Sequence, residues 1–177
     1  MLVEYREATE RDVEAIAALH ADSWRRNYRG AYSDEFLDRD VFEERRAAWT
    51  ERLTRPDPFH HTVVAEYEGV IAGFVHTIVD HDPVWGALLD NLHVAQEQQR
   101  RGVGTQLMAR SAEAVLSRAE PARLHLWVLE SNRAAQAFYQ ARGAHCVDRE
   151  ISEPPGGGTI VGLRYVWRDP SILLRVP

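Results

Sequence analysis

Leu88-Leu89-Asp90-Asn91-Leu92-His93-Val94, followed by Gln99-Arg100-Arg101-Gly102-Val103-Gly104, is the stretch whose reading decides the fold. The first run is apolar and reads as a buried strand. Ala95 to Gln98 is a polar linker, and Thr105 to Arg118 repeats with a helical period. A strand that turns through glycines into a helix start is suited to holding phosphate. The first amides of a helix lack internal partners, and the helix dipole adds partial positive charge there. Glycine lets an anion approach the backbone, and the two arginines can pair with phosphate oxygens.

Upstream, Leu2 to Glu7 reads as a first strand, and Thr9-Glu10-Arg11-Asp12 as a capping box. Val13, Ile16, Ala17, His20 and Trp24 then fall on one face of a helix that ends near Arg29-Gly30. Ser33-Asp34-Glu35 caps a short turn, and Phe42, Arg46, Trp49 and Leu53 mark a second helix that Pro56 and Pro58 stop. Thr62–Tyr67 and Val70–Val79 form a hairpin about Glu68-Gly69, and Asp80 to Pro83 is a loop. Downstream of Arg118, Arg123–Leu129 is a dense, central strand. Asn132–Arg142 is a short helix stopped by Gly143, with Phe138 turned toward the core. His145–Ile151 and Thr159–Trp167 are strands around the loop Pro154–Gly158, and Pro170 onward is a tail. The order β-α-α-β-β-β-α-β-α-β-β predicts one mixed sheet with helices on its faces, an α/β (α+β) fold. The strands starting at Ala87 and Arg123 are joined through a helix and should be parallel. With neither linker nor repeat, a single domain over residues 1–177 is expected.

Composition is that of a globular protein, 45% hydrophobic and 27% charged, without an apolar run of membrane-spanning length. Met1 to Glu7 lacks the basic and apolar regions of a secretory signal. The net charge of −6 argues against broad nucleic-acid binding, and the chain is expected to engage neither nucleic acid nor membrane. All 21 basic residues are arginine, so a Walker motif, which needs Gly-Lys, is excluded. A dinucleotide fingerprint would need a third glycine directly after the strand. One cysteine, Cys146, precludes an internal disulfide and fits a reducing cytoplasm; it is expected to be buried and inert. The histidines are scattered, and no metal site is expected.

The Gln-x-x-Gly-x-Gly segment at Gln99 to Gly104 resembles the acyl-CoA-binding motif of the GNAT N-acetyltransferase superfamily. Glu130 to Ala144, with Asn132 and Phe138-Tyr139, resembles that family's second conserved block. The order of elements is also similar. The resemblance implies a mostly antiparallel sheet of about seven strands, with a parallel pair splayed at the CoA site. It implies acetyl-CoA as co-substrate, bound by Leu92, His93 and Val94 along the strand edge and by Gln99, Arg100, Arg101, Gly102, Val103, Gly104 and Thr105 at the phosphates. Asn132, Ala135 and Tyr139 share one helical face and would meet the pantetheine arm and the sulfur. Tyr139 would be the general acid.

The base departs from well-known members of the family. Positions that carry Glu in histone-type and N-terminal-amine relatives look like Leu88 and Trp127 here. Asp90 is the base candidate, with His93 near it. The two alternate to opposite faces of the strand unless a bulge intervenes. The first two helices and the loops after Val79 and Ile151 would form the acceptor pocket, lined by Trp24, Tyr28, Tyr32 and Trp85, although Trp24 and Trp49 also read as core. The activity implied is acetyl transfer to a primary amine of a small molecule, by a cytoplasmic enzyme and possible homodimer. The alternatives are a noncatalytic acyl-CoA-binding regulatory domain, or acetylation of protein lysines or N-termini.

Overall fold

A computed structural model describes residues 2–154 and 156–175. Pro155 of the expected loop and the last two residues of the expected tail lie outside them. Seven strands form one sheet in the order β1-β2-β3-β4-β5-β7-β6. They are β1 Glu4–Glu7, β2 His60–Tyr67, β3 Val70–Asp82, β4 Gly86–Val94, β5 Leu124–Leu129, β6 His145–Ser152 and β7 Ile160–Trp167. The helices are α1 Val13–Asn27, α2 Val41–Thr54, α3 Val103–Arg118 and α4 Arg133–Gln140, with a π-helical segment, Phe36–Asp40, leading into α2. All neighbouring strands are antiparallel except β4 and β5. No helix among the described residues is long and apolar enough to cross a membrane.

Strand alternation distributes side chains to two cores. On one face α3 packs Val103, Leu107, Met108 and Val115 against Val75, Leu89, Leu126 and Trp167. On the other, α1 and α2 bring Ile16, Ala17 and Trp49 onto Val64 and Phe74. Trp24 and Trp49 are both buried, as their helical spacing predicts. Trp49 is fully enclosed, and its indole N–H donates to His20 Nδ1 at 3.0 Å, so a large apolar surface is buried without orphaning its polar atom.

Three expectations are corrected. β3 continues to Asp82, whose carboxylate accepts from the Val84 and Trp85 amides and makes the turn itself, so Asp80–Pro83 is not a loop. The segment from Pro170 is no tail: Pro170–Leu174 is a 3-10 turn capped by Asp169, with Leu173 buried in the core. Cys146 is exposed, because β6 is the sheet's edge strand and all its residues face solvent. Phe138, expected to face the core, is half-buried and packs against it, with its ring beside Gly104.

Candidate active site

The parallel pair that defines the site is short. β4 and β5 pair only at Ala87↔Leu124 and Leu88↔His125, and beyond these residues they diverge. The Ala95 amide donates to Ala72, the partner across β3. Alternation of the antiparallel ladder therefore commits the His93 backbone to Phe74 and turns the N–H and C=O of Leu92 and Val94 away from β3, into the gap. Gln99 Nε2 reaches the Val94 carbonyl at 3.3 Å. Of the three strand-edge residues, His93 thus differs: its backbone is used by the sheet, and its side chain points to α1.

A bulge sets the side chains upstream. His76 faces Asn91 and Thr77 faces Leu89, which leaves Asp90 as the extra residue. The extra residue puts Asp90 and His93 on the same α1–α2 side of the sheet. Asp90 is ion-paired to Arg52 of α2 at 2.7 Å and accepts from the Asn91 amide. His93 Nδ1 is 2.8 Å from Ser23 Oγ, and its ring lies 4.4 Å from that of His20. Burial, with Arg45 and Arg26 adding repulsion, lowers the His93 pKa to about 3.

Past the gap, Arg100 and Gly102 both take positive φ, 61° and 83°, which turns the chain into α3. Gly102 is the residue before the helix, so the amides of Val103, Gly104 and Thr105 open its N-terminus. Gly104 has the Phe138 ring and Val94 beside it, at 3.4 and 3.6 Å from where a Cβ would stand. Among the described residues, neither Arg100 nor Arg101 is paired with a carboxylate.

A splayed strand pair, a bulge and an arginine-glycine helix start thus meet at one end of β4. The Acetyltransferase (GNAT) family profile covers residues 14–144. The chain belongs to the GNAT acetyltransferase family. It is 29% identical over 177 residues to the N-acetyltransferase YuaI of Bacillus subtilis, covering 97% of this chain and 96% of that one. In fold it is similar to PaiA N-acetyltransferase of Thermoplasma acidophilum, solved with coenzyme A, at TM-score 0.70, 19% identity and coverage of 92% and 98% of the two chains. The ribosomal-protein-alanine N-acetyltransferase of Brucella melitensis gives TM-score 0.68, 24% identity and coverage of 93% and 98%. This GNAT protein is accordingly an acyltransferase, of a family whose acyl donor is acetyl-CoA.

In this acetyltransferase α4 starts at Asn132, whose side chain accepts from the Ala135 amide at 3.1 Å. That is an N-cap role, and among the described residues it leaves the side-chain N–H groups of Asn132 without a partner. Tyr139 is half-buried, packed edge-on against Trp167 at 6.0 Å and near Tyr165. Burial raises its pKa to about 12. Two contributors are absent from the sequence reading. Gln136, the buried residue of α4, donates to the Leu129 and Glu130 carbonyls and ties the helix to the end of β5. Arg142 reaches from α4 to Thr105 on α3. Neither has a spacing signal, since both act across elements.

Beside α1 and the segment leading into α2, two stretches of chain touch. Gly156, after β6, sits where a Cβ would meet Phe36 at 2.6 Å and Ser33 Oγ at 3.0 Å, and its φ is +88°. Trp24, Tyr28 and Tyr32 form a triangle of rings with centroids 5.0 to 5.4 Å apart, capped by Arg45 over Trp24 at 4.5 Å. Trp85 is elsewhere, stacked with Trp127 about the Arg164 guanidinium. A cleft of about 190 Å³ runs between Gly30-Ala31, Leu129 to Ser131 and Thr159 to Val161.

Proposed function

We propose that this chain transfers an acetyl group from acetyl-CoA to a primary amine of a small molecule, by direct attack within a ternary complex. The observation that carries the donor half is the gap between β4 and β5, with the N–H and C=O of Leu92 and the N–H of Val94 turned into it and the Val94 carbonyl met by Gln99 Nε2. Such an edge fits the amides of a pantetheine arm, added as a strand would be. The amides from Gly102 to Thr105 and the unpaired Arg100 and Arg101 fit a pyrophosphate. When bound, acetyl-CoA supplies an activated thioester carbonyl. The Val94 N–H is placed to donate to the carbonyl oxygen as it gains charge. The neutral amine nitrogen bonds to that carbon and the C–S bond breaks; the sulfur departs with a hydrogen bond from the Tyr139 hydroxyl, and the proton released by the nitrogen, passed through Tyr139 or solvent, ends on the thiol.

The acceptor assignment rests on the small cleft between Gly30-Ala31, Leu129 to Ser131 and Thr159 to Val161, whose volume of about 190 Å³ suits a small amine. A steady-state assay reading released thiol over amino acids, polyamines and aminoglycosides is expected to find turnover with at least one of them. Turnover confined to peptide amines would overturn the small-molecule reading, and CoA binding without any turnover would overturn catalysis. The same reading places the enzyme in the cytoplasm, where the exposed Cys146 stays a thiol. It also has the enzyme pair as a homodimer.

Asp90 remains the base to test, and its surroundings limit what it can do. Its Oδ2 is already engaged by Arg52 and by the Asn91 side chain, so that oxygen is not free to meet an incoming amine. His93, held neutral by burial, is a weak acceptor. Asp90→Asn is therefore expected to lower kcat/KM by less than about tenfold. The pH profile should then follow the acceptor amine's own ionisation. A loss of 100-fold or more, with the alkaline rise abolished, would make Asp90 the principal base.

A further inference from the structure

Arg142, one residue before the glycine that ends the α4 segment, makes an arrangement the donor site above does not use. Its Nε and Nη2 both donate to Thr105 Oγ1, at 3.2 and 2.6 Å. Its Nη1 donates to the Phe138 carbonyl at 2.9 Å, and its plane lies 3.6 Å from the Phe138 ring centroid. The guanidinium is thus pinned on three sides, yet no carboxylate neutralises it among the described residues. Its own backbone carbonyl is held by Trp167 Nε1 at 2.8 Å.

The consequence lies in Thr105. A hydroxyl has two lone pairs and one proton. Two guanidinium N–H groups fill the lone pairs, so Thr105 has to donate its proton elsewhere. A threonine inside a helix usually gives that proton back to a carbonyl of the preceding turn, and no such bond is made here. Thr105 is the third residue of α3, where the free amides of the helix start open on the same space. An anion seated on those amides meets a hydroxyl that can only donate.

We propose that Arg142 is a positioning residue for the phosphate end of the donor: it forces Thr105 to act as a hydrogen-bond donor to a phosphate oxygen and adds an uncompensated positive charge behind it. The bond also ties α3, which carries the phosphate turn, to α4, which carries Asn132 and Tyr139. This rests on the donor reading given above.

The test is calorimetric titration of the full chain with CoA and, separately, with pantetheine, which has the same arm without phosphates. Arg142→Met and Thr105→Val are each expected to weaken CoA about 10- to 100-fold and leave pantetheine within about twofold. Thr105→Ser should keep wild-type affinity, because the hydroxyl is retained. The double variant Arg142→Met/Thr105→Val should lose little more than either single one, since both act through one hydroxyl. Equal loss of CoA and pantetheine, fully additive losses, or unchanged CoA affinity in both single variants would each overturn the proposal. Wild-type protein that fails to bind CoA would overturn the donor reading as well, so the two failures are distinguishable.

Discussion

Tyr139→Phe is expected to lower kcat about 100-fold while leaving the Kd for CoA within about twofold. Phenylalanine keeps the ring that packs against Trp167 and Tyr165, so the variant removes only the hydroxyl. The size of the effect follows from where the phenol sits. Burial raises its pKa to about 12, so it is protonated throughout the neutral range and always available as a donor. The same burial makes it a weaker acid than a thiol, whose ordinary pKa is about 8.5. Complete transfer to the sulfur is uphill, and the larger part of the contribution is a hydrogen bond to the developing thiolate. About 100-fold, or about 2.7 kcal/mol, is the lower end of what a positioned acid supplies. Steady-state thiol release and a CoA titration measure the two quantities. Equal turnover in the variant would remove Tyr139 from the mechanism.

The second large effect is on stability. His20, His76 and His125 are fully enclosed, and each retains at least one ring nitrogen without a partner. Desolvation lowers His20 well below its usual range, His76 to about 2 and His125 to about 4. Neighbouring cations add to this, Arg45 and Arg52 at His20, Arg52 at His76 and Arg164 at His125, against a smaller opposing pull from Asp82 on His125. In the unfolded chain each would titrate near 6.5. Below that pH the unfolded state binds protons that the folded state refuses. The stability from keeping these rings neutral is therefore fully present above about pH 6.5 and is lost as pH falls toward the folded values. Each ring costs about 1.4 kcal/mol per pH unit, so three give about 4 kcal/mol per unit and about 6 kcal/mol between pH 6.5 and 5. That is comparable to the whole stability of a domain. Urea unfolding at pH 7.5, 6 and 5 is expected to show a collapse of the midpoint, and His125→Phe should reduce the slope by about 1.4 kcal/mol per pH unit, the share of one ring among these three and His93. A midpoint that stays flat to pH 5 would contradict it.

Much of the sheet and of the donor site could be read from local pattern. The Leu88–Val94 run, the arginine-glycine turn and the Thr105–Arg118 period place a strand, a helix start and a parallel crossover, because each depends on side chains adjacent in sequence. The capping box at Thr9 is of the same kind, with the Thr9 amide donating to Asp12 at 2.8 Å. Asn132 as the cap of α4 follows the same logic. Where the pattern misled, a distant element intervened. Cys146 looked like a buried strand residue because it lies in a strand-like run, but burial depends on elements covering the sheet's faces, and β6, at the sheet's edge, has all its residues exposed. The segment after Pro170 lacks periodicity, yet Leu173 finds the core.

By itself, then, the sequence determined which residues form the arginine-glycine turn into α3, that Asn132 and Tyr139 share a helical face, and the resemblance to the family. Only the tertiary structure decided that β4 and β5 part after Leu88, that the bulge at Asp90 turns that carboxylate onto Arg52, and that Arg142 takes both lone pairs of Thr105. The physical reason is range. Helix starts and strand alternation are fixed by dihedral preferences over a few residues, whereas a gap, an ion pair or a hydroxyl's direction is fixed by groups that only packing brings together.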